Sequence, residues 1–353
     1  THHKQISTTV NQTPANNDKE ISHTFYLVGD AGDTAFGDST DALLSLKKRL
    51  ENVDDNGTVI FLGDNIYSNG MPKKDDSSYN LAKHRLQVQI DAVSNFNGNR
   101  IFIPGNHDWK NNGIKGLKRQ EKYVEGALGK NTFLPEDGCA FKKVKISDDI
   151  VLLIVDSEWY LANWDKNPTI NDDCDIRTRN DFFKEFDSEI KKNRDKTILV
   201  AIHHPLFTEG PHGGNFSTHQ HVFPNNRLPL PVIGTITNFI RKTGGISPED
   251  LQNKNYRYLV NRLSTLAQES DRVIFVSGHE HSLQYFEKKN LVQIVSGSGS
   301  KTSGVKKSNN SLFAFSALGY AVLKVYKDGS SHVTFVHAKP NNDEIVFQKE
   351  VYP

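Results

Sequence analysis

The chain has few cysteines, no excess of charge and no long apolar run, and each absence excludes a class of protein. Its 353 residues include only Cys139 and Cys174, so it is not a small disulfide-framework domain. These cysteines are compatible with a disulfide in an oxidising compartment and equally with two free thiols. The 43 basic and 42 acidic residues leave a net charge of +1, which argues against nucleic acid as a partner. No apolar run approaches the roughly 18 residues that span a bilayer.

The order of the hydrophobic patterns predicts one large α/β domain. Residues 1–21 are polar and lack periodicity, which predicts a flexible N-terminal arm. Strand and helix patterns then alternate in βαβαβ order, and the chain closes with a run of short strands. Two sheets packed together with helices outside accommodate this pattern. We therefore predict a four-layer αββα sandwich of two mixed β-sheets in a single catalytic domain, residues 22–353.

The segment at about residues 205–255 interrupts this alternation. It is rich in Gly, Pro, His and Asn, and a loop of this length in a compact domain is usually functional. We predict an excursion over the mouth of the site; the alternative is a surface insertion without a role. The apolar stretch PLPVIGTITNFI within it raises the hypothesis of a membrane or envelope partner.

Five short segments each run a strand pattern into residues that bind metals. Strands that end at one edge of a sheet would bring carboxylate, amide, phenol and imidazole groups together, which is how two-metal sites for phosphate esters are built. Taken singly, each motif has an ordinary explanation as a turn or a structural histidine. The segments are VGD ending at Asp30, LGDNIY with Asp64 and Tyr67, IPGNHDW with Asn106 and His107, VAIHHP with His203 and His204, and VSGHEH with His279 and His281.

The series GDAG, GDNIY, GNHD, VAIHHP and GHEH resembles the calcineurin-like metallophosphoesterase superfamily. Within it, the GDxxY form at Asp64 and Tyr67 and the VxxH form at His203 resemble the purple acid phosphatases, specifically the small tartrate-resistant acid phosphatase-like branch. The motifs span residues 29–281.

This resemblance implies two metal ions that share Asp64. Fe³⁺ would be bound by Asp30, Asp64, Tyr67 and His281. Fe²⁺, Zn²⁺ or Mn²⁺ would be bound by Asp64, Asn106, His203 and His279. A phenolate is a hard anionic ligand that suits Fe³⁺. The alternative is that Tyr67 packs beside a site that holds two ordinary divalent ions.

The resemblance also implies catalytic histidines. His107 would bind the phosphate and protonate the leaving alkoxide, and His212 would be a second substrate-facing histidine unless it is a solvated loop residue. The segment GSGSKTSG, at residues 297–304, resembles a phosphate-binding loop, but Ser300 rather than Gly precedes Lys301. We interpret it as a loop after a strand that lines the site.

The expected function is hydrolysis of phosphate monoesters by in-line attack of a metal-bound hydroxide, with a small phosphorylated substrate and no nucleic acid. Ferric chemistry and cysteine pairing favour an exported protein, in the periplasm, the extracellular space or the cell envelope. Two alternatives stay open. One is a phosphodiesterase or nuclease on the same scaffold with Mn or Zn, and the other is a catalytically silent envelope-interaction module.

Overall fold

The computed structural model describes residues 12–53, 57–163, 169–213, 248–288, 290–305 and 310–353. Helices and strands alternate within these residues. The helices are α1 (Asp41–Leu50), α2 (Tyr79–Val93), α3 (Ile114–Leu128), α4 (Arg179–Lys192) and α5 (Lys254–Ala267). The strands are β1 (Ile21–Val28), β2 (Gly57–Phe61), β3 (Asn99–Phe102), β4 (Phe141–Lys145), β5 (Ile150–Val155), β6 (Thr197–Ile202), β7 (Val273–Ser277), β8 (Leu283–Lys288), β9 (Leu291–Ser296), β10 (Phe313–Phe315), β11 (Gly319–Tyr326), β12 (Ser331–His337) and β13 (Glu344–Tyr352).

The strands form two mixed sheets. The first has six strands in the order β13-β12-β11-β1-β2-β3, and the second has seven in the order β10-β8-β9-β7-β6-β5-β4. Strands β1, β2 and β3 are parallel neighbours in the first sheet, and β5, β6, β7 and β9 are parallel in the second. Each sheet therefore has one edge at which several strands end together.

Side chains of each sheet alternate between an inner and an outer hydrophobic layer. In β1, Phe25 and Leu27 belong to a cluster drawn mainly from strands of both sheets. Tyr26 and Val28 belong to a second cluster, which includes the buried faces of the helices. Successive side chains of a strand point to opposite faces, so each sheet buries both of its faces. The layers are thus helix, sheet, sheet and helix, which confirms the predicted sandwich.

Helix α1 shows how local sequence fixes an element and ties it to the site. Thr40 caps the helix, because its Oγ1 accepts a hydrogen bond from the Leu43 amide at 3.3 Å. The same hydroxyl donates to the Gly299 carbonyl at 2.7 Å. The helix buries Leu43, Leu46 and Leu50 at the spacing of one helical face. The cap therefore joins α1 to the loop that follows β9.

The structure also bears on the two cysteines and on the N-terminal arm. Cys139 and Cys174 form a disulfide, with Cα atoms 5.6 Å apart, which decides between the two alternatives. In the predicted N-terminal arm, Thr13 contacts the first sheet: its amide donates to the Gln348 carbonyl at 3.2 Å, and His332 Nε2 lies 2.6 Å from its carbonyl oxygen. Most of the arm, and residues 214–247 of the predicted insertion with PLPVIGTITNFI, lie outside the described residues.

Among the helices that the structure describes, none is long and apolar enough to cross a membrane.

Candidate metal centre

The predicted ligands lie where parallel strands of the two sheets end. Asp30 follows β1, Asp64 follows β2 and Asn106 follows β3 in the first sheet; His203 follows β6 and His279 follows β7 in the second. Backbone hydrogen bonds join these ends, since the Asp30 amide donates to the Gly63 carbonyl at 2.9 Å. Side chains that are far apart in the sequence thus meet at one common edge.

The chain passes through this edge in an unusual backbone conformation. Asp30, Asp64 and His279 have φ values of 56°, 54° and 67°, in the left-handed region that costs a non-glycine residue about 1–3 kcal/mol. Two glycines allow the ligand loops to lie this close to the side chains of His203 and Asp64. A Cβ at Gly63 would lie 2.5 Å from His203 Nδ1, and one at Gly105 would lie 2.4 Å from Asp64 Oδ1. Such strain persists only where the surroundings impose it.

The first group of donor atoms comes from Asp30, Tyr67 and His281. The Tyr67 hydroxyl donates to Asp30 Oδ1 at 2.7 Å and lies 3.2 Å from His281 Nε2. His281 Nε2 is 3.6 Å from Asp30 Oδ1. The carboxylate and the phenol are almost fully buried.

The second group comes from Asp64, Asn106 and His203. His203 Nε2 lies 3.0 Å from Asn106 Oδ1 and 3.5 Å from Asp64 Oδ1. His203 Nδ1 faces the Leu62 carbonyl at 2.7 Å; because a carbonyl only accepts, the proton sits on Nδ1 and Nε2 faces the cluster. Ligand atoms of Asp30, Asp64 and His203 all lie within 4.8 Å of one another. Asp64 therefore lies between the two groups.

His279 is placed differently from the other predicted ligands. Its backbone amide donates to Asp30 Oδ2 at 2.7 Å, and its ring lies 5.1 Å from that of His203 between centroids. Its Nε2, however, lies 3.3 Å from the Glu249 carbonyl oxygen. His279 is thus at the cluster, with its ring turned toward the segment that ends the predicted insertion.

The donor set fits a pair of metal ions. Donor atoms that share one ion at a bond length of about 2.0–2.2 Å lie about 3 Å apart, and the contacts within each group are 2.7–3.6 Å. The donors are carboxylate oxygen, amide oxygen, phenol oxygen and imidazole nitrogen, with one carboxylate between the groups. Burial keeps competing water away. Asp30, Asp64, Tyr67 and His281 would hold one ion, and Asp64, Asn106 and His203, with His279 nearby, would hold the other.

Without metal, this cluster holds protons. Burial raises the pKa of Asp30 to about 7. Burial, the largest single effect, opposes a charge on His203, but the charge and hydrogen bond of Asp64, the Asp30 charge and the Leu62 carbonyl together raise the pKa of that imidazole to about 10. Burial and the adjacent Asp30 carboxylate raise the pKa of Tyr67. Burial lowers the pKa of His281 to about 3, so this imidazole is neutral and ready to act as a ligand.

A buried carboxylate behind the cluster holds two of the ligand loops together. Asp108 accepts hydrogen bonds from the backbone amides of Gly105 (2.8 Å), Asn65 and Ile66 (both 3.1 Å) and from the side chain of Gln120 (3.0 Å). It also accepts from the Asn65 side chain at 3.1 Å. These bonds fix the backbone beside Asp64 and Asn106.

The two predicted catalytic histidines lie at the rim. His107 Nε2 is 3.9 Å from Asp64 Oδ2, its Nδ1 is 2.6 Å from the Ser68 carbonyl, and its ring lies on Tyr67 with centroids 4.4 Å apart. His212 Nδ1 is 3.3 Å from Asp250 Oδ1. His107 faces the cluster directly.

Other histidines lie around this rim. The ring of His212 lies 4.2 Å from that of His279, a predicted metal ligand. His204 is buried with its Nδ1 2.7 Å from the Ser157 hydroxyl. His219 and His221 lie outside the described residues.

Sequence reasoning missed several charged residues that complete the rim. Glu249 accepts from the Asn106 amide group at 2.9 Å and pairs with Lys110 at 3.5 Å. It lies near the end of the segment at about residues 205–255 that interrupts the strand and helix pattern, where nothing in the local sequence indicates a contact. Lys301 lies over the Tyr67 ring, 3.2 Å from its centre. The signal for Lys301 was the segment GSGSKTSG.

The fold is a two-sheet α/β sandwich, and the donor cluster where its strands end is a candidate metal site. Residues 23–297 match the family model described as calcineurin-like phosphoesterase, and the chain therefore belongs to the calcineurin-like phosphoesterase family. This family implies a phosphoester hydrolase that typically depends on two metal ions. The predicted superfamily is thus confirmed. Among curated protein sequences, none matches this chain with significance.

Several solved structures share the fold. GAP50, described as the anchor in the inner membrane complex of Plasmodium, is 19% identical with a TM-score of 0.57, over 94% of this chain and 89% of that one. A purple acid phosphatase from yellow lupin (Lupinus luteus) seeds is 11% identical with a TM-score of 0.54, over 96% of this chain and 55% of that one. PhoD is 10% identical with a TM-score of 0.58, over 96% and 73%. At these identities, the likeness shows the fold alone.

Proposed function

We propose that this protein is a binuclear metal-dependent phosphomonoesterase of purple acid phosphatase type. The observation that carries the proposal is the position of the Tyr67 hydroxyl, 2.7 Å from Asp30 Oδ1 and 3.2 Å from His281 Nε2. This phenol carries its proton here; once the proton is lost, the phenolate is a hard anionic donor that suits Fe³⁺. We assign Fe²⁺, Zn²⁺ or Mn²⁺ to the donors on the other side of Asp64.

The residues of the chain then have distinct tasks. Two adjacent ions, when bound, supply an activated water and neutralise the phosphate. Asp64, which lies between the two donor groups, would be a ligand shared by both ions. Asn106 contributes an oxygen without adding negative charge, so the site keeps a net attraction for phosphate. The buried position of the cluster strengthens this attraction.

His107 is placed to protonate the leaving group. The Ser68 carbonyl lies 2.6 Å from Nδ1, so Nδ1 carries a proton and Nε2 faces the cluster. Burial lowers the pKa of His107, with a further contribution from the Lys110 charge, although the Asp64 carboxylate opposes both. The proton that Nε2 must donate is therefore most available at acid pH. A general acid of this kind contributes about 10²–10⁴ in rate.

Metal analysis together with a visible spectrum tests the proposal. We expect two metal ions per chain, a tyrosinate-to-iron absorption band, and turnover of p-nitrophenyl phosphate in preference to its bis ester. Tyr67→Phe should abolish the band, whereas Tyr160→Phe, a buried tyrosine outside the site, should retain it. A protein that turns over the bis ester faster would be a phosphodiesterase. Two bound Zn or Mn ions without the band would contradict the iron assignment.

A second candidate is a catalytically silent anchoring module. It is favoured by the match with GAP50, described as an anchor, which covers nearly the whole of both chains, 94% and 89%. A module of this kind would bind an envelope or membrane partner, and the segment that we predicted for that contact lies mostly outside the described residues. Purified protein without metal and without turnover would support this candidate.

We also propose that the protein is exported. The disulfide between Cys139 and Cys174 supports this location, because disulfides persist in oxidising compartments. Fractionation of the source cells, with the redox state of the two cysteines measured by thiol alkylation, tests it. Reduced cysteines in a cytosolic fraction would contradict the proposal.

A further inference from the structure

Two lysines flank His107 at the mouth of the site. Lys110 Nζ lies 3.3 Å and 3.4 Å from the two ring nitrogens of His107. Lys301 Nζ lies 3.2 Å from the centre of the Tyr67 ring, and this ring lies against His107. The side chains of Lys110 and Lys301 are 38% and 30% exposed, so both ammonium groups face the approach to the cluster.

The position of Lys301 is imposed by the loop that carries it. The Ser300 hydroxyl donates to the Asp30 carbonyl. The Ser303 amide donates to the His281 carbonyl at 2.7 Å, and its hydroxyl lies 3.0 Å from His281 Nδ1. The loop is thus fastened to two candidate metal ligands, one on each side of Lys301. The segment GSGSKTSG, which resembled a phosphate-binding loop in sequence, therefore places Lys301 at this site through contacts with Asp30 and His281 rather than through a phosphate-binding loop.

The carboxylates beside these lysines are already engaged by other groups. Asp33 Oδ1 pairs with Arg85 at 2.8 Å, whereas Asp33 Oδ2 is 3.5 Å from Lys301. Glu249 Oε1 accepts from Asn106 at 2.9 Å and is 3.5 Å from Lys110. Both lysine contacts are longer than the 2.7–3.2 Å of a hydrogen bond. Each ammonium group can therefore turn to an anion that enters the mouth of the site.

We propose that Lys110 and Lys301 bind a second phosphate group of the substrate, on the leaving-group side of His107. The preferred substrates are then esters in which another phosphate stands close to the scissile one, as in a diphosphate or a bisphosphate. The donor cluster accounts for the scissile phosphate alone, and both lysines lie outside it. A second phosphate would accept charge-assisted hydrogen bonds from both ammonium groups, whereas a neutral leaving group would bind neither of them. This inference rests on the proposed function.

Binding of non-hydrolysable probes tests the inference. Isothermal titration calorimetry of the metal-loaded protein would compare methylphosphonate with methylenediphosphonate. In Lys110→Ala and Lys301→Ala, we expect affinity for the diphosphonate to fall about tenfold each, the loss of one charge-assisted hydrogen bond. Affinity for methylphosphonate should fall by less than about threefold. All variants keep the same metal donors, so chelation by the diphosphonate contributes equally to each.

Two controls make the comparison decisive. Lys142→Ala removes a half-buried lysine of β4 that pairs with Glu136, and this change should alter neither affinity. Lys301→Arg keeps the positive charge and should recover most of the diphosphonate affinity, which also shows that the loop is intact. Equal losses for both probes, or no loss for either, would overturn the inference.

The result is independent of turnover. If the protein hydrolyses no ester but the lysine variants selectively lose affinity for the diphosphonate, the proposed hydrolysis is refuted and the second phosphate site is supported. If the protein turns over p-nitrophenyl phosphate and the lysine variants bind both probes normally, only the second phosphate site is refuted.

Discussion

Removal of the Asp108 carboxylate should weaken both the fold and the binding of metal. Asp108 is fully buried, and its two oxygens accept from three backbone amides and two side chains, which belong to Asn65, Ile66, Gly105 and Gln120. Asp108→Ala would leave these five donor groups without their acceptor. Three of them fix the backbone that carries Asp64 and Asn106. The variant should therefore lose both stability and metal affinity.

The size of the effect follows from this count. At about 1 kcal/mol for each buried hydrogen bond, five bonds give about 5 kcal/mol, and water that enters the vacated space recovers part of it. We expect a loss of about 3–5 kcal/mol in the free energy of unfolding. Loss of a group that orients metal ligands typically lowers metal affinity about 10–100-fold.

Urea denaturation would measure the stability, and competition with a metal-binding dye would measure the affinity. Asp156→Ala is the matched control, because Asp156 is also buried and accepts from Trp109 Nε1 at 2.9 Å and the Trp159 amide at 3.0 Å. This control should lose stability and keep its metal affinity. If Asp108→Ala loses stability but binds metal as the unchanged protein does, Asp108 does not position the ligands.

Three further outcomes are expected. His107→Ala should lower kcat by about 10²–10⁴, and the loss should be larger for alkyl phosphates than for p-nitrophenyl phosphate, because a poor leaving group needs the proton more; equal losses would exclude a general-acid role. Metal loading should release protons, since the pKa values of Asp30 and His203 are raised to about 7 and about 10 and both groups must lose their protons to bind. Affinity should rise about tenfold per pH unit for each proton displaced, and an indicator dye that records no release at pH 6 would contradict this protonation state. Replacement of Cys139 and Cys174 by serine should cost about 3–4 kcal/mol for a sequence separation of 35 residues, measured by urea denaturation; an unchanged midpoint would show that the disulfide adds no stability.

Periodicity accounts for how well the layers could be predicted. The inward and outward alternation seen at Phe25, Tyr26 and Leu27 is a local property of the chain, and so is the helical spacing of Leu43 and Leu46. The antiparallel pairing of β4 with β5 also follows from local sequence, because a short connection leaves little other choice. The order of strands in the second sheet was not predictable in this way, since β7 pairs with β9 rather than with β8, the strand that follows it in the chain.

The donor residues were predictable for a related reason. Each follows a strand, and parallel strands end at the same edge, so the chemistry of that edge can be read from the residues that follow the strands. The rest of the rim has no such rule. Glu249 meets Asn106 across 143 residues, and Asp33 meets Ser300 across 267.

The sequence by itself determined the layered α/β architecture and which residues end the strands, because hydrophobic period and strand polarity are written locally. Only the tertiary structure decided that Asp64 lies between two donor groups and that His279 turns toward Glu249. It also decided that the cysteines pair and that Lys110 and Lys301 both lie at the opening of the site. These outcomes depend on how two sheets and several loops approach one another, and that approach is set by packing over the whole domain rather than by spacing along the chain.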